Sequence, residues 1–163
     1  MMTAIRPLGP FDLQLLEALH ARCFTAPWDQ PWTAASFAEI LAMPGAGGWL
    51  ISEGDQPAGF VLLRNVVDEM EIILIASDPA RRRQGFAGRL LDHALAMARR
   101  AGAQTVFLEQ AAPNLPAQQL YASRGFRQVG RRRGYYRGRD GVSIDAVILR
   151  RDLDGAGKAE PEA

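Results

Sequence analysis

Apolar residues along this chain recur with two different periods. Phe11, Leu15, Leu16 and Leu19 fall at helical spacing, as do Phe37, Ile40 and Leu41, and each set predicts an amphipathic helix. Trp49–Ser52 and Ala58–Arg64 read as strands around the turn Glu53-Gly54-Asp55-Gln56-Pro57. The run Glu69–Ala76 ends in unbroken apolar residues, the pattern of a strand covered on both faces, and Asp78-Pro79 stops it. Ala87, Leu90, Leu91, Ala94, Leu95 and Ala98 then mark a four-turn helix closed by Gly102. Thr105–Glu109 is a strand. Asn114 caps a short helix that tolerates Pro116 in its first turn and ends at Gly125. Phe126–Val129 and Ser143–Leu149 close the domain as strands. The order ααβββαβαββ, with a further strand indicated near Ile5, predicts an α/β sandwich around a mixed sheet.

Composition narrows the class. At 163 residues and 48% hydrophobic, the chain makes one domain with a substantial core of its own. No uncharged apolar run approaches the ~20 residues of a membrane span, and Met1–Pro10 lacks the apolar centre of a signal peptide. Cys23 is the only cysteine, and the Cys and His residues lack metal-ligand spacing. A cytoplasmic protein without metal or membrane attachment is the expectation.

The net charge of +1 conceals an asymmetry. Residues 1–80 carry three arginines against ten carboxylates, whereas residues 81–163 carry 16 basic groups against eight acidic ones. A chain acidic in front and basic behind suggests partners of opposite sign. The basic half opens with Arg81-Arg82-Arg83-Gln84-Gly85-Phe86-Ala87-Gly88-Arg89, between the buried strand and the long helix. A helix start presents unpaired N–H groups and about half a positive charge, so acidic residues are expected there. Four arginines stand there instead, and the first acid is Asp92. An anion would relieve that repulsion, and glycines let it approach the backbone; solvated arginines are the plainer alternative. The nucleoside-triphosphatase loop Gly-x-x-x-x-Gly-Lys-Ser/Thr is missing, and Gly85-x-Ala87-Gly88 does not have the dinucleotide fingerprint's Gly-x-Gly-x-x-Gly spacing.

Arg82, Gly85 and Ala87 meet the pattern Arg/Gln-x-x-Gly-x-Gly/Ala. This resembles the acetyl-coenzyme A (acetyl-CoA) site of the GCN5-related N-acetyltransferase (GNAT) superfamily. Ile75-Ala76-Ser77-Asp78-Pro79 looks like that family's strand end, and Phe107-Leu108-Glu109, Asn114, Leu120-Tyr121 and Gly125-Phe126 are similar to a series in its bacterial ribosomal-protein-alanine N-acetyltransferases. Gly130–Tyr136 followed by Asp145-Ala146 resembles that subfamily's C-terminal signature, and Pro27-Trp28 with Phe37 its N-terminal region. The resemblance spans most of residues 11–150. It implies a single-domain α/β/α sandwich over residues 1–151, with a mixed, mostly antiparallel twisted sheet, a strand pair splayed at the cofactor site, and a flexible polar tail at 152–163.

The resemblance also implies roles. Backbone groups of Ile75, Ala76 and Ser77 would pair with the pantetheine arm of acetyl-CoA, and a backbone N–H at the Ile75–Ala76 strand end would stabilise an oxyanion. Arg82, Arg83, Gln84, Gly85, Phe86, Ala87 and Gly88 would hold the pyrophosphate, and Asn114 would touch the cofactor. Glu109 would be the base and Tyr121 the acid. The chemistry asks for both, since an α-amine of pKa ~8 must lose a proton before attack and the leaving thiolate must gain one. Attack is direct, so Cys23 need not participate. The acceptor is expected to be a protein N-terminus, such as that of a ribosomal protein.

Plainer readings stand beside these. Glu109 could be a solvated strand end, Tyr121 could merely pack, and Asn114 could only cap its helix. His20, His93, Trp28, Trp32 and Trp49 read as structural or surface residues. Rival functions are a small-molecule amine acetyltransferase, a non-catalytic acyl-CoA sensor, and, from Arg131-Arg132-Arg133 beside Tyr135-Tyr136, nucleic-acid binding. The acidic first half argues against the last. The chain also departs from its subfamily. Ser77 replaces a common Val, and Gln110-Ala111-Ala112-Pro113 stands where Val-Arg usually follows Leu-Glu.

Overall fold

The computed structural model describes residues 2–81 and 83–153; Arg82 and the tail from residue 154 lie outside the described residues. A seven-stranded sheet has the order β1-β2-β3-β4-β5-β7-β6. Its strands are β1 Thr3–Pro7, β2 Ala46–Glu53, β3 Gln56–Val66, β4 Glu69–Ser77, β5 Thr105–Ala111, β6 Arg127–Arg137 and β7 Ser143–Asp152. The helices are α1 Leu13–Cys23, α2 Ala34–Leu41, α3 Phe86–Arg100 and α4 Leu115–Ser123. β4 and β5 pair in parallel, and every other neighbouring pair is antiparallel. This is the expected α/β sandwich, with the strand foreseen near Ile5 at one edge.

Two apolar clusters, one per face, hold the layers together. On one face α3 and α4 deliver Leu90, Leu91, Leu95 and Tyr121 onto Val61, Leu63, Met70, Ile72, Val106, Leu108 and Val147. On the other, α1 and α2 deliver Leu16, Leu19 and Phe37 onto Leu50, Phe60, Leu62 and Ala76. Asn114 caps α4 as expected, its Oδ1 accepting from the Ala117 N–H at 3.4 Å. Thr33 caps α2 in the same manner.

A β-bulge sits in the middle of β4. Leu62 pairs with Leu74 but Leu63 with Ile72, so Ile73 is an extra residue. Before it, Met70 and Ile72 face the α3/α4 cluster; after it, Ile75 packs there while Ala76 joins the α1/α2 cluster. The unbroken apolar run in the sequence is therefore a strand that changes face halfway.

Three boundaries differ from expectation. Phe11 lies in a short 3-10 turn before α1 and is 98% exposed, because Asp12 rather than Phe11 is drawn inward by Arg6 and the Gly9 N–H. β6 continues through Arg137, since its arginine-rich stretch runs along the sheet edge, where strand pairing does not require apolar side chains. β7 runs to Asp152 and buries Leu153, which accounts for two residues assigned to the tail.

His20 is buried against Phe24, Trp32 and Phe37, its ring stacked on the first at 4.4 Å. Burial lowers its pKa from the ordinary histidine value. The unfolded chain therefore takes up the proton first, so this contribution to stability is intact above about pH 6.5 and lost on acidification. The melting temperature between pH 7 and pH 5 should fall more steeply for the wild type than for His20→Phe; parallel curves would show that His20 does not carry the effect.

Candidate active site

The parallel ladder between β4 and β5 is short. Glu69, Met70 and Glu71 pair with Thr105, Val106 and Phe107, and pairing stops there although both strands run on. Residues 72–77 and 108–111 thus stand apart as a wedge-shaped opening through the sheet. β4 keeps its other edge on β3, where Val61, Phe60 and Gly59 face Ile75, Ala76 and Ser77. β5 is held likewise by β7. Backbone groups of β4 that point into the wedge have no strand partner, which suits an extended ligand adding along that edge. The Ser77 carbonyl is reached by the Cys23 thiol at 3.3 Å.

One end of the wedge leads to the N-terminus of α3. Gly85 caps that helix at φ +79°, a conformation that favours glycine, and among the described residues no side chain caps its first turn and no acid sits in it. Gly88 has no side chain where the Arg124 guanidinium lies over the helix; a Cβ there would fall 2.4 Å from Arg124 Nη2. Arg124 also pairs with Asp92 at 3.3 Å. The loop leading in is organised by buried Asp78, which accepts from the Ala80 N–H at 3.0 Å and pairs with Arg22. The arginine cluster is less uniform than the sequence suggests. Arg81 turns to Glu53 at 3.4 Å, Arg83 is exposed with φ +65°, and Arg82 lies outside the described residues. Gln84 is exposed and Phe86 is buried in the core, so Phe86 offers only its backbone. Ala87 is partly exposed in the first turn. An open helix start, a glycine-lined approach and an unpaired strand edge fit a ligand with a diphosphate and an extended polar arm.

Tyr121 and Glu109 lie on opposite faces of the sheet. Tyr121, on α4, is 4% exposed and packs edge-on to Phe126 with ring centres 5.6 Å apart. Burial pushes its phenol well above the ordinary tyrosine range, so it keeps its proton at any working pH. Glu109 alternates with core-facing Leu108 and therefore points to the α1/α2 face, where Arg132 pairs with it at 3.1 Å. Asn114, already engaged as a cap, starts α4 at the open end of β5.

Three further groups, none given a site role from the sequence, lie on this side of the sheet. Glu71 occupies the last paired rung before the wedge, on the same face as Glu109. Burial raises its pKa, the Glu109 charge raises it further, and Arg64 across the β3–β4 ladder partly offsets both. Tyr136 is half-buried beside them; burial and the charges of Glu109 and Asp29 raise its phenol. Asp29, between α1 and α2, is itself raised by burial, against a 2.9 Å hydrogen bond from the Ala26 N–H and the nearby Arg139. For the two acids the only sequence signal was the acidity of the first half, and for Tyr136 it was the Gly130–Tyr136 series. In β6 a wide irregularity sets the position of Tyr136, where Arg132 pairs with Ala146 but Tyr136 with Ile144. Asp145 fixes it by accepting from Gly134 N–H at 2.8 Å and Arg131 at 2.7 Å. Tyr135 is left outside, 53% exposed, under the Arg132 guanidinium.

Comparison with known proteins agrees with this arrangement. The model of the acetyltransferase (GNAT) family matches residues 13–126. The [ribosomal protein bS18]-alanine N-acetyltransferase of Escherichia coli K12 is 31% identical over 148 residues, covering 91% of this chain and 96% of that protein. The N-alpha-acetyltransferase RimI of Mycobacterium tuberculosis is 39% identical over 150 residues, covering 86% and 87%. The crystal structure of the Escherichia coli ribosomal-protein-S18-alanine N-acetyltransferase superposes with a TM-score of 0.87 at 30% identity, covering 97% of this chain and 98% of that one. The chain belongs to the acetyltransferase (GNAT) family and is an acetyl-CoA-dependent N-acetyltransferase.

Proposed function

We propose that the acceptor is the N-terminal α-amine of a protein, with a basic terminus such as that of a ribosomal protein preferred, and that the reaction takes place in the cytoplasm. The observation that carries this reading is the roofed acceptor face, where three carboxylates gather with Arg64, Arg132 and Arg139 beside them. Glu71, Glu109 and Asp29 line it, and the β6–β7 hairpin is tied to the α1–α2 connection by Arg139 N–H to Pro27 at 2.9 Å and Arg139 Nη2 to Ala26 at 3.4 Å. Walls joined at their rim favour the thin end of an extended chain over a bulky acceptor. A cavity of about 370 Å³ beside Asp29, bounded by Glu17, Phe24, Trp32 and Arg139, offers its acids to a basic side chain further along the peptide. The names of the relatives point to the same class of acceptor.

Acetyl-CoA supplies an activated acetyl thioester in the wedge. The backbone edge at Ile75, Ala76 and Ser77 holds its arm, and the amides from Arg83 to Gly88 take the phosphates, with the exposed Arg83 and Gln84 side chains beside them for the outer charge; Arg82, given the same role from the sequence, lies outside the described residues. Asn114 flanks the arm where β5 diverges. The incoming ammonium is attracted by the carboxylates and gives up its proton to Glu109. Glu71 nearby is the carboxylate whose proton affinity is raised, by burial first and by the Glu109 charge second. On the opposite face Tyr121 still holds its proton at the phenol oxygen, ready for the departing sulfur. Tyr136 borders the entering chain.

Thiol release should be fastest with short peptides bearing a free N-terminal alanine followed by basic residues. Polyamines and aminoglycosides should be slower, and the basic preference should shrink as salt is raised; a polyamine turned over faster than any peptide would overturn the reading. Tyr121→Phe should slow transfer at least ~10-fold, about 1.4 kcal/mol of barrier, with acetyl-CoA affinity near wild type. Unchanged turnover would remove the acid role. Glu109→Gln should lower transfer by at least a similar factor and move the Glu71 carboxyl titration, followed by carbon-13 NMR, to lower pH. A static midpoint would show that the two carboxylates do not act as a pair.

A further inference from the structure

Gln110 is anomalous among the residues of β5. Only 8% exposed, it carries an amide whose Nε2 and Oε1 are both buried and have no hydrogen-bond partner among the described residues. Buried polar groups are normally paired, and an orphaned carboxamide destabilises the fold that contains it. Packing does not call for it. Gln110 follows Val106 and Leu108 in the strand's alternation and lies opposite Val147, so its side chain belongs to the α3/α4 face, where all three neighbours are core residues. A valine would fill the slot and orphan nothing.

Position supplies the explanation. Gln110 lies beyond Phe107, the last residue of β5 paired with β4, and so stands on the open stretch of the wedge. It adjoins Glu109 in sequence, and Tyr121 packs into the same apolar cluster from α4 above it. Nearby polar groups are committed elsewhere: Gln118 Nε2 donates to the Ala112 carbonyl at 2.6 Å, and Asn114 Oδ1 caps α4. A carboxamide missing both a donor and an acceptor is complemented by a single group that offers both, and a secondary amide is such a group. The arm of acetyl-CoA contains two. We propose that the Gln110 side chain is a ligand of the pantetheine arm, pairing with one of its amides as the arm fills the wedge. Three rotatable side-chain bonds let the amide turn to the wedge while the backbone stays in the ladder with β7. The fold thus carries an unpaired group in the free protein that the donor satisfies, which favours the bound state over the empty one.

This inference rests on the family's use of acetyl-CoA and not on the acceptor proposed above, and its test contains no amine. Acetyl-CoA and adenosine 3′,5′-bisphosphate, which lacks the arm, are titrated calorimetrically into the wild type and Gln110→Val, and both proteins are melted without ligand. Gln110→Val should melt a few degrees higher when empty, bind acetyl-CoA at least fivefold more weakly, and bind the bisphosphate as the wild type does. Gln110→Leu, a second filling of the same slot, should behave alike. Equal acetyl-CoA affinity in wild type and variants would overturn the proposal. So would equal losses for both ligands, which would mean a disturbed phosphate site. A lower melting temperature in both empty variants would likewise overturn it, because the amide would then be satisfied in the resting protein by buried water.

Discussion

The parting of β4 from β5 is the constraint on which the rest of the molecule depends. A sheet normally satisfies its backbone by continuing the ladder, and here the ladder stops at Glu71 and Phe107 while both strands persist. Each strand survives because its other edge is firmly paired, β4 with β3 and β5 with β7. The result is an aperture in an otherwise continuous wall, bordered by backbone groups without strand partners. Such groups are costly when buried and idle, so the opening is a standing site for an extended polar ligand. The α3 N-terminus at one end of the opening and Gln110 on its border express the same unmet polarity.

The aperture also solves a problem of charge placement. The residues proposed as proton acceptor and proton donor sit in different surroundings. Strand alternation puts Glu109 on the α1/α2 face beside Glu71, and helix packing puts Tyr121 under α4 on the opposite face. The sheet keeps these environments separate. Burial maintains the protonated phenol, while carboxylate proximity raises proton affinity on the other side. In the proposed mechanism the wedge is what would let both act on one bond.

Much of the fold was legible because it follows from local periodicity. The apolar stripe from Leu90 to Ala98 had to be a helix packed on a sheet, and Asn114 had to cap the helix before Tyr121. Glu109 and Tyr121 could be singled out because their spacing within a recognisable series is a property of the chain. Glu71 could not. In sequence it is one acid in an acidic region, and its significance arises from a neighbour 38 positions away brought beside it by a parallel pairing. The bulge at Ile73 was equally hidden, since an unbroken apolar run looks the same whether a strand keeps its face or changes it. Phe11 misled for the opposite reason: it fits the helical period, but the Arg6–Asp12 pair begins the helix later and turns the ring outward.

By itself, then, the sequence determined the order and kind of the elements, the glycine-bounded start of α3 and the opposed charge of the two halves, because these depend on residues close together in the chain. Tertiary structure alone decided which carboxylates become neighbours, which arginines remain available once Glu53, Asp78, Asp92, Asp145 and Glu109 have taken theirs, and which buried amide is left without a partner among the described residues. The physical reason is that pairing and desolvation are properties of a place in three dimensions, and a place is assembled from strands that the chain visits far apart.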